Sequence, residues 1–217
     1  MHDFAALREA MVQRQIADRG IEDTRILDAF REVPRELFVS IEQAARAYDD
    51  HPLPIECGQT ISQPYIVALM IEAAGVKAGD RVIEVGAGSG YATAILSQIA
   101  GEVFAIERHP ELADLARDRL RRLGYNNAHI AAGDGTLGWP EAAPFDAIFA
   151  AASGSHIPEP LLEQLAPGGR LVMPIGAAAA GQTLVRVTRT AEGRIVEDEL
   201  CPVRFVPLIG REGWSED

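Results

Sequence analysis

Arg81-Val82-Ile83-Glu84-Val85-Gly86-Ala87-Gly88-Ser89-Gly90 is an apolar run that ends in three glycines at spacing two. Val82, Ile83 and Val85 are β-branched, as suits a parallel strand buried on both faces. The glycines allow positive φ and bring backbone close to a ligand with no Cβ between them. Tyr91 to Ala100 reads as the helix that follows. A dinucleotide fingerprint asks for a glycine five positions after the first, packed where the helix meets the strand. That position is Tyr91. The turn therefore points away from a nicotinamide dinucleotide and towards a ligand without a pyrophosphate.

The next apolar run, Val103 to Ile106, ends in Glu107, 21 positions after Gly86. A carboxylate there can accept two ribose hydroxyls and would repel a 2′-phosphate. A third strand, Ala128 to Ala132, runs into Gly133-Asp134-Gly135. Glu84, Glu107 and Asp134 are thus expected to gather acid at the carboxyl edge of neighbouring strands, where open α/β sheets bind ligands. The competing reading is three solvated strand ends. A cationic nucleoside fits an acidic field at a glycine turn, and S-adenosylmethionine is such a ligand.

The 217 residues, 47% hydrophobic and with no long apolar run, fit one domain able to bury a sizeable core. A net charge of −12 counts against a nucleic-acid substrate, and nothing suggests a membrane. The one basic cluster, Arg117, Arg119, Arg121 and Arg122, shares its helix with Asp114 and Asp118 and reads as a solvated face. Cys57 and Cys201 make no disulfide framework, and the five histidines show no metal-ligand spacing. The start MHDFAALREA lacks the apolar core of a signal peptide, so a cytoplasmic location is expected.

Along the chain, the first 75 residues read as a helical extension, with residues 76–176 as the nucleotide-binding core and 177–217 as a C-terminal hairpin and tail. Phe4, Leu7 and Met11 repeat at helical spacing after Asp3, and Gly20 closes that segment. A second helix starts near Asp23 and stops at Pro34. Tyr48 to Pro54 is a loop, and Cys57-Gly58-Gln59-Thr60-Ile61-Ser62-Gln63-Pro64 leads into a helix over Tyr65 to Ala74. That polar loop either presents hydroxyls and N–H groups to a ligand or merely caps the helix. Downstream come strand Glu102 to Glu107, helix Pro110 to Leu123, strand Phe145 to Ala151, helix Glu159 to Leu165, a Pro167-Gly168-Gly169 turn and strand Arg170 to Ile175. Thr183 to Thr190 and Arg194 to Val206, with Gly193 between them, predict an antiparallel hairpin at one edge. The fold class is α/β: a mostly parallel Rossmann-like sheet with an antiparallel C-terminal edge.

With those motifs in view, the chain resembles the protein-L-isoaspartate O-methyltransferases. The likeness runs through VPRELFV (33–39), AYDDHPLPI (47–55), GQTISQPYIVALM (58–70), VIEVGAGSGY (82–91), LGYNNAHIAAGDGTLGWPEAAPFDAI (123–148), IPEPLLEQLAPGGRLVMPIG (157–176) and FVPLIGREGW (205–214). The glycine turn is common to methyltransferases, whereas Thr-Ile-Ser-Gln-Pro is specific to this family. The resemblance implies S-adenosyl-L-methionine as donor, S-adenosyl-L-homocysteine as product and an active-site serine at Ser62. It implies cofactor contacts from Thr60, Ile61, Glu84, Gly86, Gly88, Ser89, Gly90, Glu107, Arg108, Asp134 and Gly135, and substrate contacts from Thr60, Ser62, Val206 and Leu208. It also implies last strands placed in an order unusual for such sheets. Two positions depart from the family pattern: Cys57 stands where a glycine is expected, and Ala151 where a threonine is usual.

The expected acceptor is the free α-carboxyl of L-isoaspartyl residues in damaged proteins and peptides, with D-aspartyl residues as a further substrate class. That group has a pKa of about 4 and is already the nucleophile at neutral pH, so no general base is needed. Ser62 would orient it. The enzyme is expected to act as a monomer and to need no metal. The rival readings are a small-molecule carboxyl methyltransferase and a cofactor-binding module without activity. The latter is disfavoured by the presence of Thr60 and Ser62.

Overall fold

The computed structural model describes residues 3–177 and 179–216. The N-terminal part opens with α1 (Phe4–Met11), which tightens through a π turn and a 3-10 turn to Gly20, whose φ of 97° closes it. Asp3 caps α1, its carboxylate accepting the Ala6 N–H at 3.1 Å. Asp23 caps α2 (Thr24–Glu32) in the same way. Between them and the sheet the chain is less helical than its sequence suggests. Leu53–Pro54 (β1) pairs with Thr60–Ile61 (β2) as a short antiparallel ribbon. Two-residue strands have no periodicity to betray them, so the sequence reading missed this ribbon. It holds the loop that leads into α3 (Pro64–Ala74), with Pro64 at the first helical position.

The sheet follows. Its strands are β3 (Arg81–Val85), β4 (Glu102–Glu107), β5 (Ala128–Ala132), β6 (Phe145–Ala150), β7 (Leu165–Ile175), β8 (Gln182–Arg189) and β9 (Ile195–Val203). They lie in the order β5-β4-β3-β6-β7-β8-β9. The first five are parallel; β8 and β9 add antiparallel in simple chain order. The order reverses between β3 and β6, the switch point at which open α/β sheets leave a crevice. The glycine turn leads from β3 into α4 (Tyr91–Ile99), so it opens onto that crevice.

Alternate residues of β3 serve opposite faces. Val82 joins a core with the N-terminal helices, α3, α4 and α5 (Pro110–Leu123), while Ile83 and Val85 join a second core with α6 (Glu159–Glu163) and Leu208. Helix α6 is shorter than the sequence predicts. Pro167, Gly168 and Gly169 do not separate it from a later strand; they bulge out of β7, which pairs with Phe145 at Leu165 and with Ala147 at Arg170. The Arg119 side chain is not part of a solvated face: its guanidinium donates to the Ser89 carbonyl at 2.6 Å and lies over Phe38.

Cys57 has φ of 56°, the only positive value among the described non-glycine residues. A left-handed conformation costs a side-chain-bearing residue roughly 1–2 kcal/mol, and the extra freedom glycine has when unfolded returns about 0.5–1 kcal/mol. Cys57→Gly should therefore gain up to about 1 kcal/mol, a rise of roughly 2–4 °C in melting temperature. A lower melting temperature would show that the thiol, 3.9 Å from Glu111, contributes more than the strain removes.

Candidate functional site

Three adjoining hollows occupy the crevice at the carboxyl ends of β3, β4 and β6, and Thr60 and Ala151 border all of them. The first is a narrow slot of about 50 Å³ between the Thr60–Ser62 loop and the glycine turn, with Glu84 in its wall and Phe149 and Phe205 across it. The second, about 300 Å³, lies over Gly86, Gly88 and the end of β4, with Glu107, Arg108, His109 and Gly135 on one side and Val206 to Ile209 on the other. The third, about 530 Å³, is a mouth between Ser62, Gln63 and the segment Pro202 to Val206. Each meets the others where Thr60 faces Ala151.

The turn earns its glycines locally. Gly86, Gly88 and Gly90 have φ of 91°, 54° and 87°. Gly86 and Ala87 donate their N–H groups to the Ile106 carbonyl at 2.8 and 3.2 Å, which ties the turn to β4. The Glu107 carboxylate accepts the Gly88 N–H at 2.8 Å and the His109 N–H at 3.0 Å. Two acceptor sites are so committed, and the remaining lone pairs border the second hollow. Gly90 has a different task from ligand contact: a Cβ there would come within 3.3 Å of Ala116, so it sets the close packing of α4 on α5. Tyr91, where a dinucleotide site would have its third glycine, is buried edge-on against Phe30 and Phe38.

Glu84 is the unusual acid of the site. It is 2% exposed and receives the Thr93 hydroxyl, with no cationic partner among the described residues. Burial raises its pKa to about 8; the Thr93 hydrogen bond opposes the shift and the negative charge of Glu107 adds to it. Asp134 stands outside the three hollows. Its carboxylate accepts from the N–H and hydroxyl of Thr136 and from the Arg211 N–H at 2.8 Å, pinning the C-terminal segment. Despite burial, those donors hold its pKa below the usual carboxylate value. The expectation that three acids converge on a ligand therefore narrows to two.

The loop side is built by the ribbon. Thr60 pairs with Pro54, and Ile61 is buried under Leu53. Gln63, not Ser62, occupies the N-cap of α3, and no side chain caps that helix. Among the described residues the Ser62 hydroxyl has no hydrogen-bond partner, while its carbonyl accepts Arg35 Nη2 at 2.7 Å. His109 is the one histidine among the described residues bordering the three hollows, so the acceptor mouth contains no histidine base. No group of three or more metal-binding side chains occurs among the described residues. The sequence reading missed Phe205, His109 and Ala87 as lining residues; His109 is signalled by its place two residues beyond Glu107.

The roof comes from the C-terminal segment. Ser153 donates its N–H to Val206 and accepts from Leu208 N–H and the Trp214 indole at 2.9 and 2.8 Å, which folds Val206 and Leu208 over the second hollow.

A sequence model of the protein-L-isoaspartate(D-aspartate) O-methyltransferases matches residues 6–213. The chain belongs to that family. Among similar proteins, a protein-L-isoaspartate O-methyltransferase of Pelobacter propionicus is 56% identical over 95% of this chain and 92% of its own. One of Rhodopseudomonas palustris is 57% identical over 98% of this chain and 86% of its own. Among solved structures, a protein-L-isoaspartate O-methyltransferase superposes with a TM-score of 0.87 at 31% identity, covering 95% of this chain and 67% of that one. A family member from Plasmodium falciparum, solved in complex with S-adenosyl-L-homocysteine, gives 0.80 at 29% identity over 93% of this chain and 98% of its own. As a methyltransferase of this family, the chain is an enzyme with the Rossmann-like sheet its glycine turn predicts.

Proposed function

We propose that this enzyme methylates the free α-carboxyl of L-isoaspartyl residues, and of D-aspartyl residues, in damaged proteins, with the glycine turn and Glu107 holding S-adenosyl-L-methionine. The residues fit that donor. Glu84 and Glu107 offer an acidic wall to a cation and spare acceptor sites to ribose hydroxyls, and the glycines leave the crevice floor bare. When bound, the donor supplies an electrophilic methyl group on a positively charged sulfur. The protein supplies position. Glu107 is fixed by two backbone N–H groups, so it can orient a ribose without reorganising. The Ser62 hydroxyl, free of internal partners, faces both slot and mouth and can donate to an acceptor carboxylate at their junction. Phe149, Phe205 and Ala151 keep water from that junction.

The observation that carries this reading is the meeting of all three hollows at Thr60 and Ala151, with Ser62 beside them. The volume of the mouth, about 530 Å³, favours a peptide acceptor over a small carboxylic acid. No catalytic base is required, because the acceptor is ionised well below neutrality. The methyl ester product leaves the backbone nitrogen to close a succinimide with loss of methanol, and hydrolysis of that ring returns part of the chain to aspartate. We place this repair in the cytoplasm, with the monomer as the working unit. The test is transfer of a labelled methyl group to a peptide with one isoaspartyl residue, beside its aspartyl twin. Label in the first alone supports the reading; equal labelling, or label only in a small carboxylic acid, overturns it.

Glu107→Gln tests the donor side. A neutral amide has one oxygen for two N–H groups and loses the charge that strengthens both bonds. Affinity for S-adenosyl-L-methionine should fall by about 1 kcal/mol, roughly fivefold. Calorimetry giving an unchanged affinity would remove Glu107 from the ribose.

A further inference from the structure

Arg35 is fully buried, yet no acidic side chain among the described residues lies within ion-pair distance of it. Its Nε donates to the Ala47 carbonyl and its Nη2 to the Ser62 carbonyl, each at 2.7 Å. The guanidinium carbon lies 4.7 Å from the centroid of the Tyr91 ring. Nη1 and the Tyr91 hydroxyl are both buried with no partner at hydrogen-bond geometry, although the cation is near enough to oppose the rise that burial gives the Tyr91 phenol. Burial pushes the Arg35 pKa down, and the group stays charged because its starting value is so high.

A buried cation without a counter-ion is costly, and an apolar side chain of similar volume would pack the same space without that cost. The guanidinium does what an apolar group cannot: its planar fork joins three segments. Ala47 belongs to the N-terminal extension, Ser62 to the acceptor loop, and Tyr91 is the first residue of the helix after the glycine turn. Ser62 and Tyr91 both border the slot. The loop that would orient the acceptor is thereby fastened to the turn that would hold the donor, through one rigid side chain.

We propose that Arg35 is a positioning residue for methyl transfer: it fixes the Ser62 peptide group against the glycine-turn helix, and so sets where the Ser62 hydroxyl meets the acceptor carboxylate. This rests on the function proposed above. In-line transfer tolerates little displacement, and an error of about 1 Å can cost on the order of 100-fold in rate.

Arg35→Lys is the informative variant. It keeps the charge, but a point-like ammonium cannot hold two carbonyls in one plane while stacking on a ring. Turnover on the isoaspartyl peptide, affinity for S-adenosyl-L-methionine and amide hydrogen exchange over residues 59–63 are measured well below the melting temperature. The expected result is a kcat lower by about 10- to 100-fold, with donor affinity and peptide KM within about threefold of the parent, and loop amides exchanging at least about tenfold faster. A kcat within twofold of the parent, or a lower melting temperature with unchanged loop exchange, overturns the proposal. Arg35→Met, if it folds, should show the same pattern more strongly. If the parent enzyme itself fails to methylate the isoaspartyl peptide, the functional reading falls, and the exchange measurement alone decides whether Arg35 fastens the loop.

Discussion

Replacing Glu84 with glutamine should raise stability at pH 8 far more than at pH 5. In the folded protein burial holds the Glu84 pKa at about 8, against 4.5 for an ordinary glutamate. Between those values the folded state keeps a proton that the unfolded chain has released. Stability therefore falls as pH rises through that window, by up to about 1.4 kcal/mol per pH unit from this one group, and the fall levels off above the folded pKa. Glutamine is neutral throughout, and its carbonyl oxygen can still accept the Thr93 hydroxyl. Urea unfolding of both proteins at pH 5, 6, 7 and 8 should give curves that diverge by a few kcal/mol across the range. Parallel curves would mean that Glu84 is ionised in the folded protein and balanced by a charge not seen here. The same shift bears on the donor: a cation beside Glu84 favours its ionised form, so binding of S-adenosyl-L-methionine near pH 7 should release a proton. Calorimetry in buffers of different ionisation enthalpy reads that proton directly.

What could be read in the sequence, and what could not, divides by the range of the interactions involved. Strand β3, the glycine turn and α4 were legible because β-branched residues, positive-φ glycines and helical spacing all act within ten residues. Glu107 was legible for the same reason, since the spacing of successive strands in such a sheet is nearly fixed. Asp134 was misread because an acid at a strand end looks like a ligand group, whereas its partner Arg211 lies 77 residues away. Arg119 looked solvated beside Asp118, although it stands next to Leu120 and three residues after Ala116, on the flank of the buried face of α5. Arg35 gave no local signal at all. Its partners, Ala47, Ser62 and Tyr91, are three separate segments that meet only in the fold. The family resemblance pointed to Ser62 where the residues alone left a cap and an active-site loop as equal readings, and the geometry now separates those two.

Ser62→Ala should lower the maximal rate of methyl transfer by about 10- to 100-fold while leaving the fold and donor affinity nearly unchanged. One hydrogen bond to a charged group contributes about 1.5–3 kcal/mol, and if it strengthens as the acceptor carboxylate is brought in line, that energy appears in the barrier. A helix-capping serine would behave differently, costing about 1 kcal/mol of stability when removed and leaving the rate intact. The structure gives capping no foothold: Gln63 occupies the N-cap of α3, and the Ser62 hydroxyl has no internal partner to lose. Its carbonyl, which Arg35 holds, survives the substitution, so the loop keeps its place. Thr60, whose hydroxyl borders the same junction, would supply part of the residual activity, and Thr60→Ala combined with Ser62→Ala should lower the rate further than either alone. Turnover on the isoaspartyl peptide, the melting temperature and calorimetric affinity for S-adenosyl-L-methionine are to be measured on the same preparation. A normal rate with a lowered melting temperature would remove Ser62 from the chemistry, and a loss of donor affinity equal to the loss of rate would move it from the acceptor side of the cleft to the donor side.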